Sequence, residues 1–169
     1  MKLISCTIEN FGKLNNVTYD FSGECNTICE DNGWGKSTLA SFIRVMFYGF
    51  KNESKKKLVD KERNRLMPWQ KGVYGGEIVF ETGGVVYSLR RTFGKKQVDD
   101  EFLLVRKDTN VECDDFSCDI GEELFKIDAQ SFERTVFIGQ SDCVTATTDS
   151  INAKIGNLAD NTDDINNFE

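Results

Sequence analysis

The stretch that decides the fold is EDNGWGKST, residues 30–38, which joins a short apolar segment to an amphipathic helical pattern. It departs from the phosphate-loop pattern G-x-x-x-x-G-K-[ST] at one position, because Glu30 stands where the first glycine is expected. Glycine has no Cβ, so Gly33 and Gly35 allow the backbone to curl with its amide hydrogens pointing inward. The spacing and the flanking patterns predict a phosphate-binding loop.

The residue types in this loop suit a nucleotide. Lys36 would reach the β- and γ-phosphates, the Ser37 hydroxyl would ligate Mg²⁺, and Thr38 would bond the α-phosphate. The N-terminus of the following helix adds positive potential. The alternative is a turn at a helix start with no ligand. The loop residues predicted to contact the nucleotide are Asn32, Gly33, Trp34, Gly35, Lys36, Ser37 and Thr38.

The segments on either side of the loop have different periods. Downstream, apolar residues at helical spacing predict one buried helix stripe, ending near Gly49; they are Leu39, Phe42, Ile43, Met46 and Phe47. Upstream, alternation of apolar and polar residues predicts strands at 2–10 and 17–21. Residues 25–29 are interpreted as a short third strand that leads into the loop.

Beyond the helix, residues 50–71 are predicted to form a basic, exposed loop, with Trp69 packed against the body. Gly83-Gly84 lies between two alternating runs and predicts a β hairpin over 75–91. Residues 102–107 are interpreted as another strand. Asp128 is a candidate cap for a short helix, and 136–138 is interpreted as a short apolar strand.

Composition excludes several classes of protein. The chain has 169 residues, a net charge of −7, six cysteines and no histidine. The acidic balance argues against a domain that grips nucleic acid by bulk charge, and the lack of histidine argues against the usual zinc sites. Reduced, mostly buried thiols in a cytoplasmic protein are expected. No apolar run is long enough to span a membrane.

The order of these segments is similar to that of a known family. KLISCTIENFGKL, EDNGWGKST, FIRVMFYGF, PWQKG and FERTVFIGQ together resemble the N-terminal half of an ABC-type ATPase head. The resemblance is to the SMC, RecN and SbcC group, and within it to the YhaN-like AAA-domain ATPases, over about residues 1–145. It implies an α/β P-loop NTPase fold in which a mixed sheet carries the loop beside an antiparallel β-subdomain.

The resemblance also implies roles for particular residues. ATP and Mg²⁺ would be the cofactors, and Gln140 of FERTVFIGQSD would contact Mg²⁺ or the attacking water and sense the γ-phosphate. Lys36 and Gln140 are therefore the expected catalytic residues, with Ser37 and Gln140 at the metal. Lys13 is a further candidate for contact with the nucleotide, the alternative being a solvated turn lysine. Trp34 would pack against a partner head or the nucleotide, or else cover the helix start.

The resemblance implies that the C-terminal half of the same head completes the site. It also implies that a second head contributes to the site, in a homodimer. No acidic-pair strand or LSGGQ-like signature occurs, so the lobe is expected to be incomplete and not to turn over ATP alone. The head would span 1–148, with its glutamine loop near 140, and 149–169 would begin a helical, coiled-coil extension.

Several functions remain open from the sequence. A DNA repair or chromosome maintenance ATPase is the first hypothesis, with DNA as a partner through a local surface and not through net charge. A degenerate head that serves as an interaction module is the second, because Glu30 would either be tolerated or repel an anion. A GTPase or small-molecule kinase is the third, although no NKxD-like motif occurs.

Overall fold

The computed structural model describes residues 1–21, 23–50 and 61–137. Several positions singled out in the sequence lie outside the described residues. They are Gln140, Cys143, the lysines at 55–57, the predicted boundary at 148 and the predicted extension at 149–169. The chain divides into two units, one over Met1–Ile120 and one from Gly121 onward.

Six strands in the first unit form one sheet, in the order β2-β1-β3-β4-β5-β6, and every neighbouring pair is antiparallel. Alternation in the sequence produces this sheet, because one face carries the buried residues and the other is polar. The strands are β1 (Lys2–Phe11), β2 (Leu14–Asp20), β3 (Gly75–Thr82), β4 (Val85–Thr92), β5 (Glu101–Arg106) and β6 (Val111–Glu112). The predicted hairpin is present as β3 and β4, and Gly83 and Gly84 both adopt positive φ in its turn.

The expectation of a mixed sheet is wrong for the described residues, and so is the strand at 25–29. Residues 26–30 have no regular secondary structure, and residues 23–30 are exposed except for Ile28, which is half-buried. A strand needs a neighbour to bond its backbone, and β2 forms the sheet's edge without pairing to this segment. The apolar residues Cys25 and Ile28 suggested a strand, but residue type does not tell whether a neighbouring strand is present to pair with it.

Helix α1 (Lys36–Tyr48) packs on the apolar face of the sheet. The predicted stripe is confirmed, since its members are buried except for Ile43, which is half-buried. Phe42 meets Phe11 of β1 edge-on at 5.2 Å between ring centroids, and Phe47 meets Phe80 of β3 at 5.6 Å. Gly49 ends the helix with a φ of 68°, as predicted. This packing fixes the start of α1 beside the turn between β1 and β2.

The described part of the basic segment is not a simple exposed loop. Its residues form the short helix α2 (Glu62–Arg65), and Arg63 is buried against the aromatic ring of Phe50 at 4.7 Å. Arg63 also forms a two-pronged ion pair with Asp100, with distances of 2.6 and 2.7 Å. Part of the positive charge in this segment is therefore neutralised inside the fold. The expectation for Trp69 is also wrong, because its side chain is 100% exposed.

The second unit contains the rest of α3 (Ile120–Phe125) and α4 (Ala129–Thr135). Asp128 caps α4 as predicted, because its carboxylate accepts a hydrogen bond of 2.7 Å from the amide of Ser131. Phe125 and Phe132 pack against each other at 4.8 Å between ring centroids. Val136 follows the helix as a turn and not as a strand, and Ile138 lies outside the described residues.

The described cysteines form no disulfide bond with one another, and the expectation that they are mostly buried is wrong. Cys6 is buried, and that burial raises the pKa of its thiol to about 12. Cys25, Cys29 and Cys118 are exposed, in keeping with their positions outside the sheet. No helix in the described ranges is both long enough and apolar enough to cross a membrane.

Candidate functional site

The glycines of the loop give it the curvature that an anion site requires. Gly33 has a φ of 81° and Gly35 a φ of 127°, a value that side-chain-bearing residues rarely adopt. Gly35 is the N-cap of α1, and no side chain caps the helix there. The first amides of a helix have no intrahelical partner, so those at the start of α1 are available to an acceptor from outside. The loop is curled, not extended.

The Lys36 side chain folds back over the loop in this structure. Its Nζ donates hydrogen bonds to the main-chain carbonyls of Glu30, at 2.5 Å, and Asp31, at 3.1 Å. The same loop is tightened by a hydrogen bond of 3.2 Å from the Trp34 amide to the Asp31 carbonyl. The ammonium is thus held at the mouth of the curled backbone, and the side chain remains exposed. A phosphate at the helix start would compete with two neutral carbonyls for this cation.

Glu30 does not disturb this geometry. Its backbone does not adopt a positive φ, so the position does not need glycine for conformational reasons. Its residue is exposed, and it contributes to Lys36 through its carbonyl. The glutamate therefore fits the curled loop sterically, and only its charge would act on a ligand.

A cavity of about 640 Å³ lies at the start of α1, within the range of about 300–1,000 Å³ that is typical of small-molecule sites. Lys13 and Arg65 are its charged lining residues, and no described residue that lines it is acidic. In a chain of net charge −7, such a lining favours an anionic ligand. The described residues that line the cavity are Gly12, Lys13, Ser37, Thr38, Ser41, Arg65, Leu66, Met67, Trp69 and Gln70.

The cavity brings together three of the predicted site residues, namely Lys13, Ser37 and Thr38. Lys13 lies in the turn between β1 and β2, and its Cε comes within 3.6 Å of the position that a Cβ on Gly35 would take. The turn lysine is exposed to solvent and is also next to the loop. The remaining loop residues Asn32, Gly33, Trp34, Gly35 and Lys36 are adjacent in sequence to this wall and are not part of the cavity lining.

Trp34 packs inside this unit. Its ring meets Tyr19 of β2 edge-on, with 5.9 Å between centroids, and its side chain is half-buried. The Tyr19 hydroxyl is buried and finds no hydrogen-bond partner among the described residues. Burial raises the pKa of Tyr19, with smaller contributions from Cys6 and Glu30. Trp34 thus fastens the tip of the loop to the edge strand of the sheet.

A second part of the cavity wall was not anticipated from the sequence. It consists of residues 65–70, which follow α2, and several contacts hold this segment in place. Arg44 of α1 forms an ion pair with Glu62, and the amide of Gly12 donates a hydrogen bond of 2.6 Å to the carbonyl of Leu66. The Tyr74 hydroxyl donates to the carbonyl of Arg63 at 3.1 Å. The PWQKG motif was the only sequence signal for this wall.

The residues present fit a magnesium ion only together with phosphates. The described ranges contain no cluster of three or more acidic, cysteine or histidine side chains that could hold a metal. The Ser37 hydroxyl lies on the cavity wall in the first turn of α1, where it can supply one oxygen ligand. Mg²⁺ commonly takes most of its remaining ligands from substrate phosphates and water.

Comparison with known proteins gives two results. Residues 5–169 match the family described as an AAA domain. A segment of 82 residues, 48% of this chain, is 35% identical to the uncharacterized protein YhaN of Bacillus subtilis strain 168. That match covers 8% of the length of YhaN, so the similarity concerns a small part of the relative. Because the family match extends from residue 5 to residue 169, this chain belongs to the AAA-domain family and is a nucleotide-binding, ATPase-like region.

Proposed function

We propose that this chain is the ATP–Mg²⁺-binding N-terminal part of an ATPase head of the SMC and SbcC type. The observation that supports it best is the curled loop at the start of α1, whose free amides stand beside a cavity with cationic and no acidic lining among the described residues. Helix N-termini with curled, glycine-containing loops are suited to bind phosphate groups.

Each loop residue then has a physical task. The amides of Gly33 and of residues 35–38 would surround the phosphates, and Lys36 would exchange its bonds to the Glu30 and Asp31 carbonyls for phosphate oxygens. Ser37 provides a ligand to Mg²⁺, and Thr38 bonds the α-phosphate. Lys13 adds positive charge from the β1–β2 turn. The metal, when bound, neutralises charge on the β- and γ-phosphates.

The test is a titration of the chain with ATP and Mg²⁺, followed by calorimetry and by thermal unfolding. At a hundredfold excess over Kd, binding should stabilise the fold by about 2.7 kcal/mol. Lys36→Ala should lose most of this stabilisation. Lys95→Ala is a matched control, because Lys95 is an exposed lysine that does not line the cavity. Equal stabilisation of wild type and Lys36→Ala would contradict the proposal.

A second variant separates the metal from the phosphates. Ser37→Ala removes one hydroxyl from the cavity wall and leaves the loop glycines unchanged. We expect it to weaken ATP binding in the presence of Mg²⁺ more than binding with EDTA. No ATP binding by the wild-type chain would favour the alternative, a degenerate head in which the Glu30 charge repels nucleotide.

The action of the whole protein is a wider proposal. By the family resemblance, two heads would close around two ATP molecules and drive DNA repair or chromosome maintenance, with Gln140 sensing the γ-phosphate. Light scattering of a chain extended to include the remaining head motifs, with and without ATP, tests the dimer. A mass that stays at one copy with ATP bound would argue against it.

A further inference from the structure

Trp69 occupies an unusual position. Its side chain is 100% exposed, and it also lines the cavity beside Ser37 and Thr38. Tryptophan is mostly buried in folded proteins, because its large apolar surface is costly to hydrate. An exposed indole at the entrance of a cavity therefore has the properties of a surface that a ligand covers.

The wall that carries Trp69 differs chemically from the wall at the helix start. At the helix start the lining residues are Ser37 and Thr38, whose hydroxyls suit phosphate and metal. After α2 the lining residues Met67, Trp69 and Gln70 provide a thioether, an aromatic face and an amide. The cavity lining thus combines hydroxyl groups that suit an anion with residues that suit a flat, heteroaromatic group.

The wall is held in place by interactions inside the fold. Arg63, two residues before Arg65, is pinned by Asp100 and by the carbonyl of Gly94 at 3.0 Å. Leu66 is buried, and its carbonyl accepts the Gly12 amide. Arg63 and Leu66 lie six and three residues before Trp69 in the chain. Their contacts therefore hold the start of this segment beside α1, while the indole of Trp69 stays accessible.

We propose that Trp69 is the stacking surface for the nucleobase, with Gln70 able to donate and accept hydrogen bonds at the edge of the base. This inference rests on the proposed function and extends it to the recognition of the base. Removing an aromatic ring that stacks on a base is expected to weaken binding by roughly five- to 150-fold. Stacking tolerates different bases, so Trp69 would contribute to the affinity for a nucleotide. Gln70 would contribute to the selectivity between different bases.

The experiment compares ATP with tripolyphosphate, both with Mg²⁺, by calorimetry. Trp69→Ala should weaken ATP binding about tenfold and leave tripolyphosphate binding unchanged, and Trp69→Phe should restore most of the ATP affinity. Lys71→Ala is the control, because it removes an exposed neighbouring side chain that is not in the cavity lining. The melting temperature without ligand should not change, since the indole is fully exposed.

A fluorescence measurement gives an independent readout. The chain has two tryptophans, so Trp34→Phe leaves Trp69 as the single indole. Its emission should change on addition of ATP and not on addition of tripolyphosphate. No change with ATP, in a variant that still binds ATP by calorimetry, would overturn the stacking assignment.

The outcomes separate the two proposals. If Trp69→Ala binds both ligands like wild type while Lys36→Ala binds neither, the base assignment is wrong and the phosphate site stands. If Trp69→Ala weakens both ligands equally, or changes only self-association in light scattering, Trp69 serves the loop or a protein contact and the assignment fails. If wild type binds neither ligand, both proposals fall.

Discussion

At the scale of single residues, Gly33 and Gly35 differ in what surrounds them. Both have positive φ, but a Cβ on Gly33 would meet nothing within 4 Å. A Cβ on Gly35 would lie 3.0 Å from Cδ2 of Leu14, a distance tighter than ordinary contact. The two positions therefore separate backbone strain from steric crowding within the same loop.

We expect Gly35→Ala to destabilise the fold more than Gly33→Ala. Gly33→Ala incurs only the left-handed backbone strain of about 1–2 kcal/mol. Gly35→Ala combines a larger backbone strain with displacement of the Leu14 side chain. Urea unfolding of the two variants measures the difference. Equal losses would show that the loop relaxes freely around Gly35, and the curvature would then not depend on that glycine.

Individual side chains were predicted unequally well. The roles of Gly33 and Gly35 followed from sequence because their conformational freedom is local. The exposure of Trp69 did not, because a Pro-Trp pair in a basic segment says nothing about which neighbour is close enough to cover the indole. The fit of Glu30 into the loop likewise depended on a backbone angle that its residue type does not determine.

At the scale of elements, α2 is the link between the sheet and the cavity wall. Its buried Arg63 is only 4% exposed and pairs with Asp100, which is 16% exposed. The pair Glu9–Arg90 has the same 2.6 Å separation but lies on the polar face, with exposures of 33% and 48%. Burial, and not distance, distinguishes the two ion pairs.

We predict that Asp100→Asn lowers the free energy of unfolding by about 3–5 kcal/mol, because it removes the carboxylate charge that faces the buried Arg63 guanidinium. Glu9→Gln, the matched control, should cost at most about 1 kcal/mol, since its pair is screened by water. Chemical denaturation of both variants measures the two losses. Similar small losses would mean that Arg63 is not confined by the pair and that α2 is held by other contacts.

The secondary-structure elements that depend on local sequence patterns were predictable. The hairpin followed from Gly83-Gly84 and the helix from its apolar stripe, because turn conformation and helix faces are encoded locally. The predicted strand at 25–29 was wrong, and the predicted mixed sheet is not found among the described residues, because pairing depends on a neighbouring strand that those residues do not provide. The packing of the basic segment was missed, since Arg63 finds its partner 37 residues away.

At the scale of the whole molecule, charge is distributed unevenly. The chain carries a net −7, yet the described lining of its cavity at the start of α1 has two cations and no acid. The helix amides, the curled loop and Lys36 converge on the same place. The central claim is that this convergence binds the phosphates of a nucleotide through the backbone amides of Gly33 and of residues 35–38.

The most direct test is a nuclear magnetic resonance titration of the ¹⁵N-labelled chain with ATP and Mg²⁺, following the backbone amide of each residue. We expect the largest shifts at Gly33, Gly35, Lys36 and Ser37, with saturation that matches calorimetry, and their loss in Lys36→Ala. Amide shifts confined to other parts of the chain, or no saturable shift in this loop at millimolar ATP, would contradict the phosphate site.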